Sequence, residues 1–172
     1  MNYTAAVITI SDKGSQGLRE DTSGPALVRL LEENGYTVVY TAIVPDEIEH
    51  IQMELKRCAD ELGTWLALTT GGTGFSERDV TPEATEGVLE KRTPGIPEAM
   101  RTESMKITPM GCLSRETAGI RGKTLIINLP GSKKAAIENI SAVIKPIRHG
   151  IEILQGISHD CAAIHQGGHA HG

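Results

Sequence analysis

One glycine-rich turn and two aspartates carry most of the chemistry that this 172-residue chain offers. The turn, Gly71-Gly72-Thr73-Gly74, follows the apolar run Trp65 to Thr70. Residues without a Cβ let backbone N–H groups approach an anion, and a helix starting just beyond adds positive potential. The turn is either such an anion cradle or a plain tight strand-to-helix connection. It is not a P-loop, because no Gly-Lys-Ser/Thr completes the spacing. It is not a dinucleotide fingerprint either, because Glu77 stands where a glycine is required. The one Gly-Lys-Thr, Gly122-Lys123-Thr124, precedes a strand and has Thr117 at the place of the first P-loop glycine. Asp46 and Asp79 each follow an apolar run by a few residues. Two carboxylates beside a phosphate site suit Mg²⁺, which takes oxygen ligands and bridges carboxylates to substrate phosphates. The alternative is that both acids sit at helix N-termini, where the macrodipole stabilises them. Arg78 either neutralises phosphate charge or pairs with Glu77 or Glu83.

The elements that must position these residues follow from periodicity. Ala5 to Ile10 is short, apolar and β-branched, as a buried strand is. A polar stretch, Ser11 to Gly24, leads to Pro25 in the first turn of a helix with Leu27, Leu30 and Leu31 on one face. Asn34-Gly35 stops that helix. Tyr36 to Val44 is a second strand, and Pro45-Asp46 opens a helix with a stripe of Ile48, Ile51, Leu55, Cys58 and Leu62. Gly63 ends it, and Trp65 to Thr70 is a third strand. Strands begin about every thirty residues, which predicts parallel βαβ units. Thr81-Pro82-Glu83, as N-cap, first helical residue and first-turn acid, starts a helix running to about Lys91. Pro94-Gly95 breaks the chain, and Glu98 to Lys106 reads as a short helix. Ile120 to Leu129 holds a strand, with Gly122-Lys123 as a turn. Pro130-Gly131-Ser132 then leads into a helix bearing Ile137, Ile140, Val143 and Ile144, which Pro146 must kink or restart. The expected fold is a single three-layer α/β domain, 1–160, with a mostly parallel sheet and helices on both faces. Ligands of such sheets bind beyond the carboxyl ends of the strands. Ser11-Asp12, Pro45-Asp46, Gly71 to Asp79 and Pro130-Gly131-Ser132 can therefore converge on one edge.

Composition narrows the class of partner. A net charge of −5 and only five aromatic residues argue against a nucleic-acid binder, which wants a basic face and stacking platforms. No apolar run approaches the roughly 20 residues that cross a bilayer, and Met1 to Thr4 lacks the basic start of a signal peptide. The expectation is a cytoplasmic protein that contacts no membrane. Cys58, Cys112 and Cys161 have neither zinc-ligand nor redox spacing and read as reduced core fillers. Residues 161–172 form a His/Gly-rich tail expected to be disordered; His165, His169 and His171 are either solvated or a loose transition-metal site. His50, His149 and His159 are placed at the surface or at helix ends. Trp65 is expected to pack beside the third strand. The 19 glycines are expected mainly in tight loops.

The run Thr69-Thr70-Gly71-Gly72-Thr73-Gly74-Phe75-Ser76-Glu77-Arg78-Asp79-Val80-Thr81-Pro82-Glu83-Ala84-Thr85 closely resembles the signature of the molybdopterin adenylyltransferase family. Ile10-Ser11-Asp12, Pro45-Asp46-Glu47 and Asn128-Leu129-Pro130-Gly131 match further motifs of that family, in order and at suitable intervals, up to about Gly156. The resemblance implies a homotrimer that converts Mg²⁺-ATP and molybdopterin into adenylylated molybdopterin and pyrophosphate. It also implies hand-over to a molybdenum-inserting enzyme. Asp46 and Asp79 map onto the two key aspartates, expected to hold Mg²⁺ and orient phosphates. Ser11, Asp12, Thr70, Gly71, Gly72, Thr73, Gly74, Arg78, Pro130, Gly131 and Ser132 map onto the substrate-binding loops. Glu77 departs from the less acidic residue of some members; it either disfavours a phosphate or faces solvent. The alternative is a non-catalytic trimeric molybdopterin-binding carrier or assembly scaffold, which needs the pocket but not the aspartate pair.

Overall fold

Strand β1 (Tyr3–Ile10) alternates between two interiors, and this places it inside a sheet rather than at an edge. Tyr3, Ala5 and Val7 enter one apolar core, and Ala6, Ile8 and Ile10 enter the other. The computed structural model, which describes residues 1–157, sets β1 in a six-stranded sheet of order β2-β1-β3-β6-β5-β4. Strands β2 (Tyr36–Val44), β1, β3 (Leu66–Thr70) and β6 (Thr124–Leu129) are mutually parallel. Every residue of β3 and β6 is buried, as central strands covered on both faces require. β5 (Ala118–Arg121) and β4 (Lys91–Arg92) complete the sheet in antiparallel fashion, β5 and β6 meeting in a hairpin at Gly122 (φ 56°).

The two faces are covered by different helices. α1 (Asp12–Ser15) is a single turn after β1. α2 (Ser23–Glu33), α5 (Gly95–Ile107) and α6 (Lys133–Gln155) fill one face, with Leu27, Leu31, Met100 and Ile140 fully buried. α3 (Ile48–Lys56), the π-helical turn Arg57–Glu61 that continues it, and α4 (Thr81–Glu86) fill the other with Ile51, Leu55, Cys58 and Ala84. This is the three-layer arrangement with a mostly parallel sheet.

Several local expectations are corrected. α4 stops at Glu86 instead of reaching Lys91, because the chain is taken into the sheet: Glu90 and Thr93 donate backbone N–H groups to Ile120 and Ala118. The N-cap of α4 is Val80, and Thr81 lies inside the helix with its buried hydroxyl unpartnered. α6 passes through Pro146 without a restart, since its buried face continues on both sides of the proline with Val143, Ile144, Ile147 and Ile151. The short helix expected at Glu98 begins at Gly95. Cys58 is a core filler, but Cys112 is exposed on the 3₁₀ turn Pro109–Leu113. Trp65 packs edge-on against Tyr3, ring centroids 5.4 Å apart, next to β3. The tail, with His159, Cys161, His165, His169 and His171, lies outside the described residues. No helix among those described is long and apolar enough to cross a membrane.

Candidate active site

The sheet order fixes where a ligand can sit. The connection leaving β1 runs to β2 on one side, and the connection leaving β3 runs towards β6 on the other, so the chain order reverses between β1 and β3. The carboxyl ends of strands on either side of such a reversal splay their loops and leave a crevice. A cavity of about 500 Å³ lies there. Of the residues expected from the sequence, Ser11, Asp46, Thr70, Gly71, Gly72, Asp79, Gly131 and Ser132 line it.

Its floor is backbone packed against backbone. Gly71 (φ 109°) donates its N–H to Leu129, and a Cβ on it would fall on the carbonyl oxygen of Ile10. A Cβ on Gly131 would stand 3.3 Å from the Cα of Gly71, and Thr70 donates its hydroxyl to the Pro130 carbonyl at 2.7 Å. The ends of β1, β3 and β6 are thereby brought as close as the main chain allows. Ser11 caps α1 by accepting the Gly14 N–H, and Ser132 caps α6 by accepting the Ala135 N–H. The Ser132 hydroxyl oxygen is thus committed to the helix, leaving its proton for a ligand.

The aspartates are held by the backbone. Asp46 Oδ2 accepts the Asp12 N–H at 2.9 Å, and Asp12 Oδ1 accepts the Asp46 N–H at 3.0 Å, a reciprocal tie between the ends of β1 and β2. Asp79 Oδ2 accepts the Ser76 N–H at 2.8 Å. Each aspartate therefore spends one oxygen on positioning, and among the described residues no donor reaches the Oδ1 of either. Burial pushes the Asp46 carboxyl above its ordinary range; repulsion from Asp12 and Asp79 adds to the rise, against the Asp12 N–H and Arg78. A carboxylate that burial disfavours, with two further acids adding to the effect, is one whose charged form a bound cation would stabilise.

Arg78 offsets the rise only in part, because its guanidinium is bonded to other acids. Its guanidinium forks onto Asp12, at 3.0 and 2.9 Å, and reaches Glu47 at 2.8 Å, on the outer side of the β1–β2 tie. It pairs with neither Glu77 nor Glu83. The guanidinium holds the Asp12 carboxyl below the usual range. Asp12, Thr73, Gly74, Arg78 and Pro130 thus lie behind or beside the cavity lining rather than on it, and Glu77 is exposed.

The chain resembles known proteins over most of its length. Residues 6–149 match the family described as a probable molybdopterin binding domain. The molybdopterin adenylyltransferase of Helicobacter pylori (strain ATCC 700392 / 26695) is 44% identical over 152 residues, covering 87% of this chain and 86% of that protein. The chain belongs to the molybdopterin adenylyltransferase family. A gephyrin from Dictyostelium discoideum is 45% identical over 163 residues, but there the chain spans only 22% of the relative's length. The crystal structure of the molybdopterin biosynthesis enzyme MoaB from Thermus thermophilus superposes with a TM-score of 0.85 at 43% identity, covering 90% of this chain and 97% of that one.

Within this adenylyltransferase fold, sequence reasoning missed two sets of residues. The first is a further part of the cavity wall, which includes Thr9, Arg19, Glu20, Asp21, Ser23 and Lys133. The second is Arg115, which clamps the glycine turn from behind. Its N–H meets the Thr73 carbonyl at 3.0 Å, its Nε the Gly74 carbonyl at 2.8 Å and its Nη2 the Asp79 carbonyl at 2.6 Å, while Nη1 pairs with Glu83. Arg115 is 36 residues from Asp79, and only the chain leading into β5 brings it there.

Next to this clamp, Glu116 is 3% exposed and neither carboxylate oxygen is in a well-formed hydrogen bond. Burial pushes its carboxyl up to about 7, only partly offset by Ser114 and Arg101. A carboxyl raised in the folded state stabilises the protein below its ordinary pKa and loses that contribution as pH rises through about 7. Thermal unfolding is therefore expected at lower temperature at pH 8 than at pH 5. Glu116→Gln should flatten that dependence and add about 2 kcal/mol at pH 8, allowing for relaxation around the charge. Parallel pH profiles of the two proteins would disprove this origin.

Proposed function

We propose that the cavity between β1 and β3 is where ATP and molybdopterin react to give adenylylated molybdopterin and pyrophosphate, in molybdenum cofactor biosynthesis. The observation that carries this reading is the pair Asp46 and Asp79. Both are fixed by backbone N–H groups, both line the cavity, and each keeps one carboxylate oxygen without a donor. Among the described residues no three or more His, Cys, Asp or Glu side chains form a metal site on their own. Two carboxylates facing substrate phosphates are the donor set that Mg²⁺ uses, and a cation there would stabilise the charged form of Asp46. Mg²⁺ held by Asp46 and Asp79 would neutralise phosphate charge.

The reaction needs no protein nucleophile. An oxygen of the molybdopterin phosphate forms a bond to the α-phosphorus of ATP. The bond from that phosphorus to the bridging oxygen breaks, and pyrophosphate leaves with the electron pair. Catalysis then consists of holding the attacking oxygen, phosphorus and leaving oxygen in line and offsetting their charge. The rigid floor of Gly71 and Gly131, and the Arg115 clamp on the turn, supply the holding. The N-terminus of α6 supplies oriented N–H groups. We place the reaction in a cytoplasmic homotrimer that passes its product to a molybdenum-inserting enzyme.

The test is pyrophosphate release. Purified protein supplied with molybdopterin, ATP and Mg²⁺ is expected to release one pyrophosphate for each adenylylated molybdopterin, and none when either substrate is left out. Molybdopterin binding without pyrophosphate release would leave the non-catalytic carrier.

A further inference from the structure

The cavity has two poles of opposite charge, and they belong to opposite layers of the fold. Asp46 and Asp79 immediately precede α3 and α4, which cover one face of the sheet. Arg19, in the segment before α2, and Lys133, the first residue of α6, line the same cavity, and those helices cover the other face. The two starts on that second face are tied together, because Ser23 at the beginning of α2 donates its hydroxyl to the Gly131 carbonyl just before α6, at 2.8 Å. Asp21, two residues after Arg19 in the chain and on the same wall, is already engaged. Its carboxylate accepts the Thr9 hydroxyl at 2.6 Å and the N–H groups of Ser23 and Gly24 at 3.1 and 2.9 Å. Among the described residues, neither the Arg19 nor the Lys133 side chain has an ion-pair or hydrogen-bond partner. Both are exposed. Two cations on a cavity wall that no protein carboxylate pairs directly are suited to an anion brought by a ligand.

We propose that Arg19 and Lys133 bind the phosphate monoester of the acceptor, while the acidic pole takes the triphosphate of the nucleotide with its cation. The inference rests on the adenylyl-transfer reading above, and follows from the geometry of displacement at phosphorus. Attacking and leaving oxygens lie on opposite sides of the α-phosphorus. The leaving pyrophosphate carries the larger charge and is the group that a divalent ion on two carboxylates bridges. The acceptor phosphate enters from the other side with its own negative charge, and the aspartates would repel it there. It needs a separate cationic seat on the opposite wall, and Arg19 and Lys133 are the side chains placed to provide it. The division also keeps the substrates from exchanging places, since each pole attracts only one of them.

Binding of molybdopterin and of Mg²⁺-ATP, each measured separately by equilibrium titration, tests the assignment. Wild-type protein that binds both in this assay supports the underlying reading, whatever the variants do. Arg19→Ala and Lys133→Ala are each expected to weaken molybdopterin about tenfold, as loss of a charge-assisted hydrogen bond at an exposed site does, and to leave Mg²⁺-ATP unchanged. Arg19→Lys and Lys133→Arg should recover most of the affinity, which a merely structural role would not predict. Molybdopterin stripped of its phosphate should bind wild type and the alanine variants alike. Glu20→Gln, which removes a carboxylate beside Arg19, should tighten molybdopterin. The proposal is overturned if the alanine variants weaken Mg²⁺-ATP instead, or if the phosphate-free compound is as sensitive to them as the intact one.

Discussion

Asp46→Asn is expected to slow adenylylation by roughly two to three orders of magnitude, the usual loss when one preorganised electrostatic contact to a reacting group is removed. The prediction is sharp because the structure separates what Asp46 does for the fold from what it does for the site. Its Oδ2 accepts the Asp12 N–H, and an asparagine carbonyl oxygen can accept that same bond. The side chain keeps its size beside Gly72, where a Cβ would stand 3.0 Å from Asp46 Oδ1. What the substitution takes away is one negative charge, in a place where burial and two neighbouring acids already oppose it. The variant should therefore unfold at the same temperature as wild type or slightly above it, while turnover collapses and molybdopterin binding persists. Asp79→Asn should behave in the same way, because its Oδ2 likewise serves the Ser76 N–H. Asp12→Asn is the informative contrast. Its charge is already matched by Arg78, so the loss should be much smaller and appear partly as weakened stability. Steady-state pyrophosphate release with matched thermal melts decides the matter. Comparable losses at Asp12 and Asp46 would mean that the β1–β2 tie, and not free carboxylate charge, is what turnover needs.

The parts of this site legible in the sequence were those whose signal is local. A run of β-branched residues bounded by Gly35 and Pro45 gave the limits of β2, and glycines after an apolar run marked the floor of the cavity. Residues whose role is created by distant contacts left no such trace. Arg115 reads as one arginine in a polar stretch until the chain leading into β5 brings it against the carbonyls of Thr73 and Gly74 in the glycine turn and of Asp79 beyond it. Arg19 lies in a segment without periodicity, and its place on the cavity wall depends on α2 packing against the far face of the sheet. Arg78 shows the opposite case. Its neighbours in sequence suggested phosphate or Glu77 or Glu83, while the tie between β1 and β2 offered Asp12 and Glu47 at better geometry. Local propensity also lost to the sheet after α4, where Lys91, the expected end of the helix, became the first residue of strand β4.

Gly71→Ala should be the most damaging of three glycine substitutions around the sheet, lowering stability by about 4 kcal/mol through strain and overlap together. Three glycines with positive φ allow the contributions to be separated. Gly122, at φ 56° in the β5–β6 turn, has open space where a Cβ would project, so Gly122→Ala meets backbone strain alone, about 1 kcal/mol. Gly72, at φ 65°, adds a clash with the Thr81 hydroxyl and an approach to Asp46. Those are side-chain atoms that can rotate away, so Gly72→Ala should lose moderate stability but much of its turnover as Asp46 is displaced. At Gly71, φ is 109° and the new Cβ would land on the Ile10 carbonyl, which is main chain in the central strand β1. Relief would require β1 and β3 to part at the carboxyl edge, where Gly131 is already packed against the Gly71 Cα. For a chain of this length the loss corresponds to a fall in melting temperature on the order of 10 °C. Urea unfolding of the three variants should rank them Gly122, Gly72, Gly71 in increasing damage. If Gly71→Ala were as mild as Gly122→Ala, the strand ends would not be held in contact, and the rigid floor on which the adenylyl-transfer geometry depends would have to be abandoned.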